Sequence, residues 1–324
     1  MKRQKKWKKT VFDTIVVVVA VFCIWIGLRL FGESPCLTGG SISEPSYSEQ
    51  ERVMKAIALS YLVYGCEGCT GLQGTVNEML DQNVMGIIAE NFGIRRKVQE
   101  DPASAIVDTG AFIREQAGEF RFLQSLKDEK SGFYGAAFCD DENKCIWISF
   151  SGSVTGKDAL ACVAFVVTPW LSSQEKSAFA LYEAVRGIPE VETGEYAVLL
   201  TGHSLGGALA CEVSCASGCR AVTINGATGV AIDKMRGLLK EAPSEYKVSN
   251  YLTSPKNGTV SFMDVVQRLM FLGAYKRAEY YLYEEGGLTE DAHSVFSFLQ
   301  YAKDGTPKLI VPDAIQIYAP IARK

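Results

Sequence analysis

The spacing of hydrophobic and polar positions changes period along the chain, and each change marks a boundary. Residues 15–28 (IVVVVAVFCIWIGL) are fourteen positions without a charge or a strong polar group. Residues 32–47 (GESPCLTGGSISEPSY) are rich in Gly, Ser and Pro and lack periodicity, so they read as a tether. Helical spacing follows: Ser48 with Glu51 forms a capping box, and Val53, Ile57, Leu59 and the run from Tyr61 to Tyr64 continue an amphipathic helix. Residues 76–127 carry a mostly helical pattern. Strand-like runs then appear at 133–139 and 145–150, joined by the acidic turn Asp140-Asp141-Glu142-Asn143-Lys144. A helix is predicted over 173–185, and strands over 196–200, 220–224 and 247–253, separated by helix-sized segments. Strands and helices alternating at this spacing predict an α/β fold with a mostly parallel central sheet and helices on both faces.

Charge changes the reading of the first segment. Lys2, Arg3, Lys5, Lys6, Lys8, Lys9 and Arg29 against Asp13 put about +6 in the first thirty residues; with a total of −4, about −10 is left for the rest. An acidic body argues against nucleic acid as a partner. Six cations ahead of a short apolar run are the mark of an export segment rather than of the fold. Residues 1–31 are expected to form a basic cytoplasmic tail and a membrane signal anchor, with a signal peptide cleaved after export as the alternative. Residues 48–324 then form the domain proper, held outside the cytoplasm. The chain's own N-terminal helix is its expected membrane contact; nothing indicates an oligomeric state.

Ten cysteines are many for a cytosolic enzyme. Cys139 and Cys145 flank the acidic turn, and a cross-strand disulfide is expected there if their side chains face each other. Cys66 and Cys69 form a lone CxxC, and with two histidines in the chain a zinc site lacks ligands. Cys211, Cys215 and Cys219 recur every four residues, as small core residues on one helical face would, with a disulfide to another segment as the alternative.

Most of the chemistry is carried by the stretch from Tyr196 to Ala210: a strand, the pentapeptide Gly202-His203-Ser204-Leu205-Gly206, and a helix. In such an elbow the serine sits at a strained strand-to-helix turn. Glycines two residues to either side avoid a Cβ collision with neighbouring backbone. The helix N-terminus points amide donors toward a developing oxyanion. Gly207, Ala208 and Ala210 let the helix approach the sheet closely.

A serine nucleophile needs a base near neutral pKa, and imidazole is the usual one. His203 adjoins Ser204, so its side chain points elsewhere and serves structure. His293 remains, 89 residues downstream, consistent with the order Ser, acid, His. The acid is expected between them and after the strand at 247–253. Asp264 is the candidate, since Asp233 precedes that strand and Glu290 and Asp291 are too close to His293. A helix N-terminal charge is the alternative role for Asp264. No cofactor or metal signature is present, and a Ser-His-acid hydrolase requires none.

These motifs resemble class 3 lipases, and more closely their compact bacterial lipase-like relatives, over roughly residues 130–300. The matching residues are Phe150-Ser151-Gly152-Ser153 with Lys157-Asp158, Gly202 to Gly207, Asp264-Val265-Val266, and His293. The resemblance implies an α/β-hydrolase fold, a lipid or small acyl-ester substrate, and an oxyanion hole built from Ser153 and the Leu205 amide. In that family the first strand ends in a Phe-Arg-Gly-Thr-like turn; here Ser151 replaces Arg and Ser153 replaces Thr. The apolar run 159–171 follows where lipases carry a lid, and either a lid or a buried helix accounts for its composition.

Overall fold

The central strands are apolar on both faces, and this decides the layering. The computed structural model describes residues 45–84, 109–152, 170–226, 248–255, 278–285, 299–301, 307–309 and 315–318. Helix α1 (Glu49–Cys66) opens with the expected capping box: the Ser48 hydroxyl accepts from the Glu51 amide at 3.2 Å, and the Glu51 carboxylate accepts from the Ser48 amide at 2.7 Å. Apart from Lys55, every residue of α1 from Val53 to Cys66 is buried, as befits a helix that is apolar all round. Tyr47, which the sequence placed at the end of the tether, is also buried. Its ring lies 5.9 Å from that of Trp147, and its hydroxyl donates to Asp140.

After α1 come the short helix α2 (Val76–Met79), a π-helical turn (Leu80–Val84), and α3 (Thr109–Ala117). The sheet strands are β1 (Arg121–Asp128), β2 (Phe133–Asp140), β3 (Cys145–Phe150), β4 (Ala197–His203), β5 (Arg220–Ile224), β6 (Val248–Pro255) and β7 (Ala278–Glu285). Helices α4 (Trp170–Arg186) and α5 (Pro189–Glu192) precede β4, and α6 (Leu205–Ser217) joins β4 to β5. β8 (Leu299–Tyr301) and β9 (Pro307–Leu309) form a separate antiparallel pair, and β10 (Ile315–Tyr318) closes the main sheet beside β7.

Strand order in the main sheet is β1-β2-β3-β4-β5-β6-β7-β10, with β3 through β7 mutually parallel. Because β3, β4 and β5 are laid down in one direction, right-handed crossovers carry the helices described between them to a single face. α4 and α6 accordingly pack together on one side, against Ile146, Ile148, Val198, Leu200 and Ala221. The opposite face, with Trp147, Leu199, Val222 and Ile224, is covered by α1, which comes from the N-terminal side of the sheet. Consecutive strand residues thus enter alternate cores, and the prediction of helices on both faces holds. The expected strands at 133–139, 145–150 and 220–224 are found almost to the residue, while those at 196–200 and 247–253 run on to His203 and Pro255.

Three expectations are corrected. The helical pattern over 76–127 holds for α2 and α3 but ends in a strand: β1 pairs antiparallel with β2. A β-bulge between Phe122 and Gln124 breaks its alternation, so that Leu123 and Leu126 pack on one core at a spacing that imitates a helix. Cys139 and Cys145 are free thiols. Cys145 pairs with Asp140 and Cys139 with Ile146, so the two cysteines fall on opposite faces, one in each core. Cys219 does not continue the helical face of Cys211: α6 stops at Ser217, Gly218 turns left-handed (φ 76°), and Cys219 is buried beyond it, its thiol 3.6 Å from the Tyr182 hydroxyl.

Residues 1–44, on which the expected anchor and most of the tether fall, lie outside the described residues. Among the described residues no helix is long and apolar enough to cross a membrane. Of the run 159–171, only the last two residues are described, as the start of α4.

Candidate active site

In a sheet of parallel strands the carboxyl ends collect chain exits on one edge, and ligands bind there. Four features of that edge converge on Ser204. The first is its backbone, at φ 56° and ψ −119°, a combination that residues with a Cβ rarely adopt. The second is its place at the N-cap of α6. Serine is a favoured N-cap because its hydroxyl usually accepts from the first-turn amides, yet here the side chain makes no cap hydrogen bond. The first-turn amides of a helix, that of Leu205 here, lack intrahelical partners and carry the positive end of its dipole.

Close backbone approach is the third feature. A Cβ on Gly202 would collide with the backbone of Gly206, and one on Gly206 with the Phe150 carbonyl. The glycines of the pentapeptide are therefore required, as its spacing predicted. The Ser204 amide donates to the Ile224 carbonyl at 3.2 Å, tying the turn to β5.

The fourth is the exit of β3. Ser151 and Gly152 are buried there. A Cβ on Gly152 would lie 2.8 Å from the His203 carbonyl and would collide with the Tyr64 hydroxyl, so this turn is wedged between α1 and the elbow. The Ser151 amide donates to the Tyr134 carbonyl at 3.0 Å.

His203 plays the structural part expected of it. Its side chain points to the α1 face, where Nδ1 lies 3.1 Å from the Tyr64 hydroxyl. One turn later, Glu67 approaches the exit of β3 and its Oε2 accepts from the Ser151 hydroxyl at 3.2 Å. Burial pushes the Glu67 carboxyl above the usual range, while the Ser151 hydrogen bond and the charge of Lys127 pull it back. On the neighbouring strand, Asn250 is fully buried and grips Gly226, accepting from its amide at 3.2 Å and donating to its carbonyl at 3.1 Å.

Of the residues the sequence singled out, Ser204 and Leu205 stand together at the elbow. Ser153, Asp264 and His293 lie outside the described residues. Their positions along the chain follow strand ends on this edge: Ser153 comes directly after Gly152, Asp264 nine residues after Pro255, the end of β6, and His293 eight after Glu285, the end of β7. Tyr64 and Glu67 were not anticipated. They belong to an otherwise apolar helix and the turn after it, and nothing in their local sequence relates them to residues some 84 or more positions away.

No family model and no curated protein sequence matches this chain. Among solved structures it is similar to fungal lipases. With the Rhizomucor miehei lipase propeptide complex the TM-score is 0.47 at 13% identity, covering 79% of this chain and 77% of that one. With the mono- and diacylglycerol lipase from Aspergillus oryzae it is 0.47 at 12%, covering 84% and 86%. For lipase II from Rhizopus niveus it is 0.41 at 15%, covering 70% and 92%. The mostly parallel sheet, flanked by helices and bearing its serine at a strand-to-helix turn, fits an α/β-hydrolase fold.

Proposed function

We propose that this chain is a serine hydrolase that cleaves carboxylic esters of acyl lipids, with Ser204 as nucleophile. The observation that carries this reading is the conformation of Ser204: a left-handed backbone at the head of α6, with a hydroxyl that does not cap the helix it begins. Strain of this kind costs about 1–3 kcal/mol and is tolerated where it aims a reacting group.

In the proposed cycle His293, oriented by Asp264, takes the Ser204 proton as Oγ attacks the ester carbonyl. The Leu205 amide and Ser153 stabilise the oxyanion. His293 then protonates the leaving alcohol and activates the water that releases the acid from the acyl-enzyme. The assignments of His293, Asp264 and Ser153 rest on sequence order and motif, supported by strand ends that share an edge with Ser204. A basic tail and the apolar segment 15–28 would anchor the enzyme in a membrane with its catalytic domain outside the cytoplasm. It would then face lipid.

Hydrolysis of p-nitrophenyl esters of increasing acyl length, with and without a lipid interface, tests the substrate class. Preference for long chains and activation by the interface are expected; preference for short soluble esters would make the protein a general esterase. Ser204→Ala abolishes turnover, and Ser153→Ala lowers kcat by roughly a hundredfold, the loss of one oxyanion donor.

A further inference from the structure

Ser151 stands where the resembled family has arginine, and the structure shows what a hydroxyl does in that place. Its Oγ lies 3.2 Å from Glu67 Oε2 and 3.0 Å from the carbonyl oxygen of its neighbour Gly152. The Glu67 backbone is firmly placed. It extends the last turn of α1, with its amide donating to the Val63 carbonyl at 3.2 Å, and a second turn closes over it from the Cys69 amide to the Cys66 carbonyl at 3.0 Å. On the same end of α1, Tyr64 blocks Gly152 from one side and holds His203 on the other.

We propose that Glu67 is a positioning residue of the hydrolase site: through the Ser151 hydroxyl it fixes the Gly152 carbonyl, and thereby the oxyanion turn that follows β3. This rests on the hydrolase reading above. A serine hydroxyl has one proton and cannot donate to both Glu67 and Gly152 at once. When the Glu67 carboxyl carries a proton, the chain is satisfied throughout: Glu67 donates to Ser151, and Ser151 donates to Gly152. Burial pushes the carboxyl toward the protonated form, while the Ser151 hydrogen bond and the charge of Lys127 of β1 pull it back. A peptide unit is planar, so fixing the Gly152 carbonyl also fixes the direction of the amide that follows it. That amide leads into Ser153, whose hydroxyl is the proposed oxyanion donor.

An oxyanion donor acts on the transition state and hardly on the bound substrate, so disturbing its support lowers kcat and spares KM. In the purified full-length protein, with a p-nitrophenyl ester that the wild type turns over, Glu67→Ala is expected to lower kcat about tenfold at unchanged KM. Glu67→Gln, whose amide donates as the protonated carboxyl does, keeps kcat within about threefold. Ser151→Ala reproduces the Glu67→Ala loss and gives the answer by itself if Glu67→Ala does not fold. The double variant loses no more than either single one, as expected of two residues acting through one contact. Undiminished kcat in Ser151→Ala, a Gln variant as poor as Ala, or multiplying losses in the double variant would each overturn the proposal. A wild-type protein that turns over no ester overturns the hydrolase reading and this inference with it, whereas an active wild type with indifferent Glu67 and Ser151 overturns the inference alone.

Discussion

At the scale of single residues, Ser204 breaks two local rules at once. It takes a backbone conformation suited to glycine, and it leaves unmade the cap hydrogen bond that serine favours. A residue that offends its own propensities where the fold is otherwise consistent marks function. The strain has a measurable consequence. Ser204→Gly should relieve it and stabilise the fold by about 1 kcal/mol net of glycine's greater unfolded-state entropy, while destroying activity. Ser204→Ala, which keeps a Cβ, should leave stability nearly unchanged. Urea denaturation of the two variants decides this, and a glycine variant less stable than the alanine one would remove the argument from strain. Ser204 was legible in the sequence because Gly202 and Gly206 are needed for local steric reasons. Glu67 was not, since its relation to Ser151 exists only once α1 has docked against β3.

Among elements, periodicity succeeded where alternation ran unbroken and failed where a single residue interrupted it. β2 and β3 are buried throughout and could be placed from their apolar runs. β1 was hidden by its bulge, which lends an edge strand the spacing of a helix. The acidic turn raises the complementary point. Its position was correct, yet its register could not be read from sequence, and a shift of one residue decides whether two side chains share a face. With Asp140 opposite Cys145, a disulfide between Cys139 and Cys145 cannot form without moving the whole ladder. Mass mapping of non-reduced peptides should therefore find no crosslink between these two; recovering one would show that β2 and β3 pair in another register. The capping box of α1 was legible for the opposite reason, since all of its contacts lie within four residues.

For the molecule as a whole, strand order explains why the N-terminal helix matters to a site formed far along the chain. Parallel strands added in one direction put α4 and α6 on one face and leave the other to be covered from outside the crossovers. α1 does this, with Ser149 donating to the Leu59 carbonyl at 3.1 Å and Ser60 meeting Thr201 at 3.3 Å, and its C-terminal end thereby arrives beside the elbow. Alternating strands and helices predicted the layers; which helix covers which face follows from topology, to which local periodicity is blind. This architecture is proposed to activate Ser204. Treating the purified protein with a fluorescent fluorophosphonate, alongside Ser204→Ala and His293→Ala, tests it most directly. A labelled wild type carrying the adduct on Ser204 and two unlabelled variants are expected; a folded wild type that takes no label, or label that persists in Ser204→Ala, would show that Ser204 is not activated.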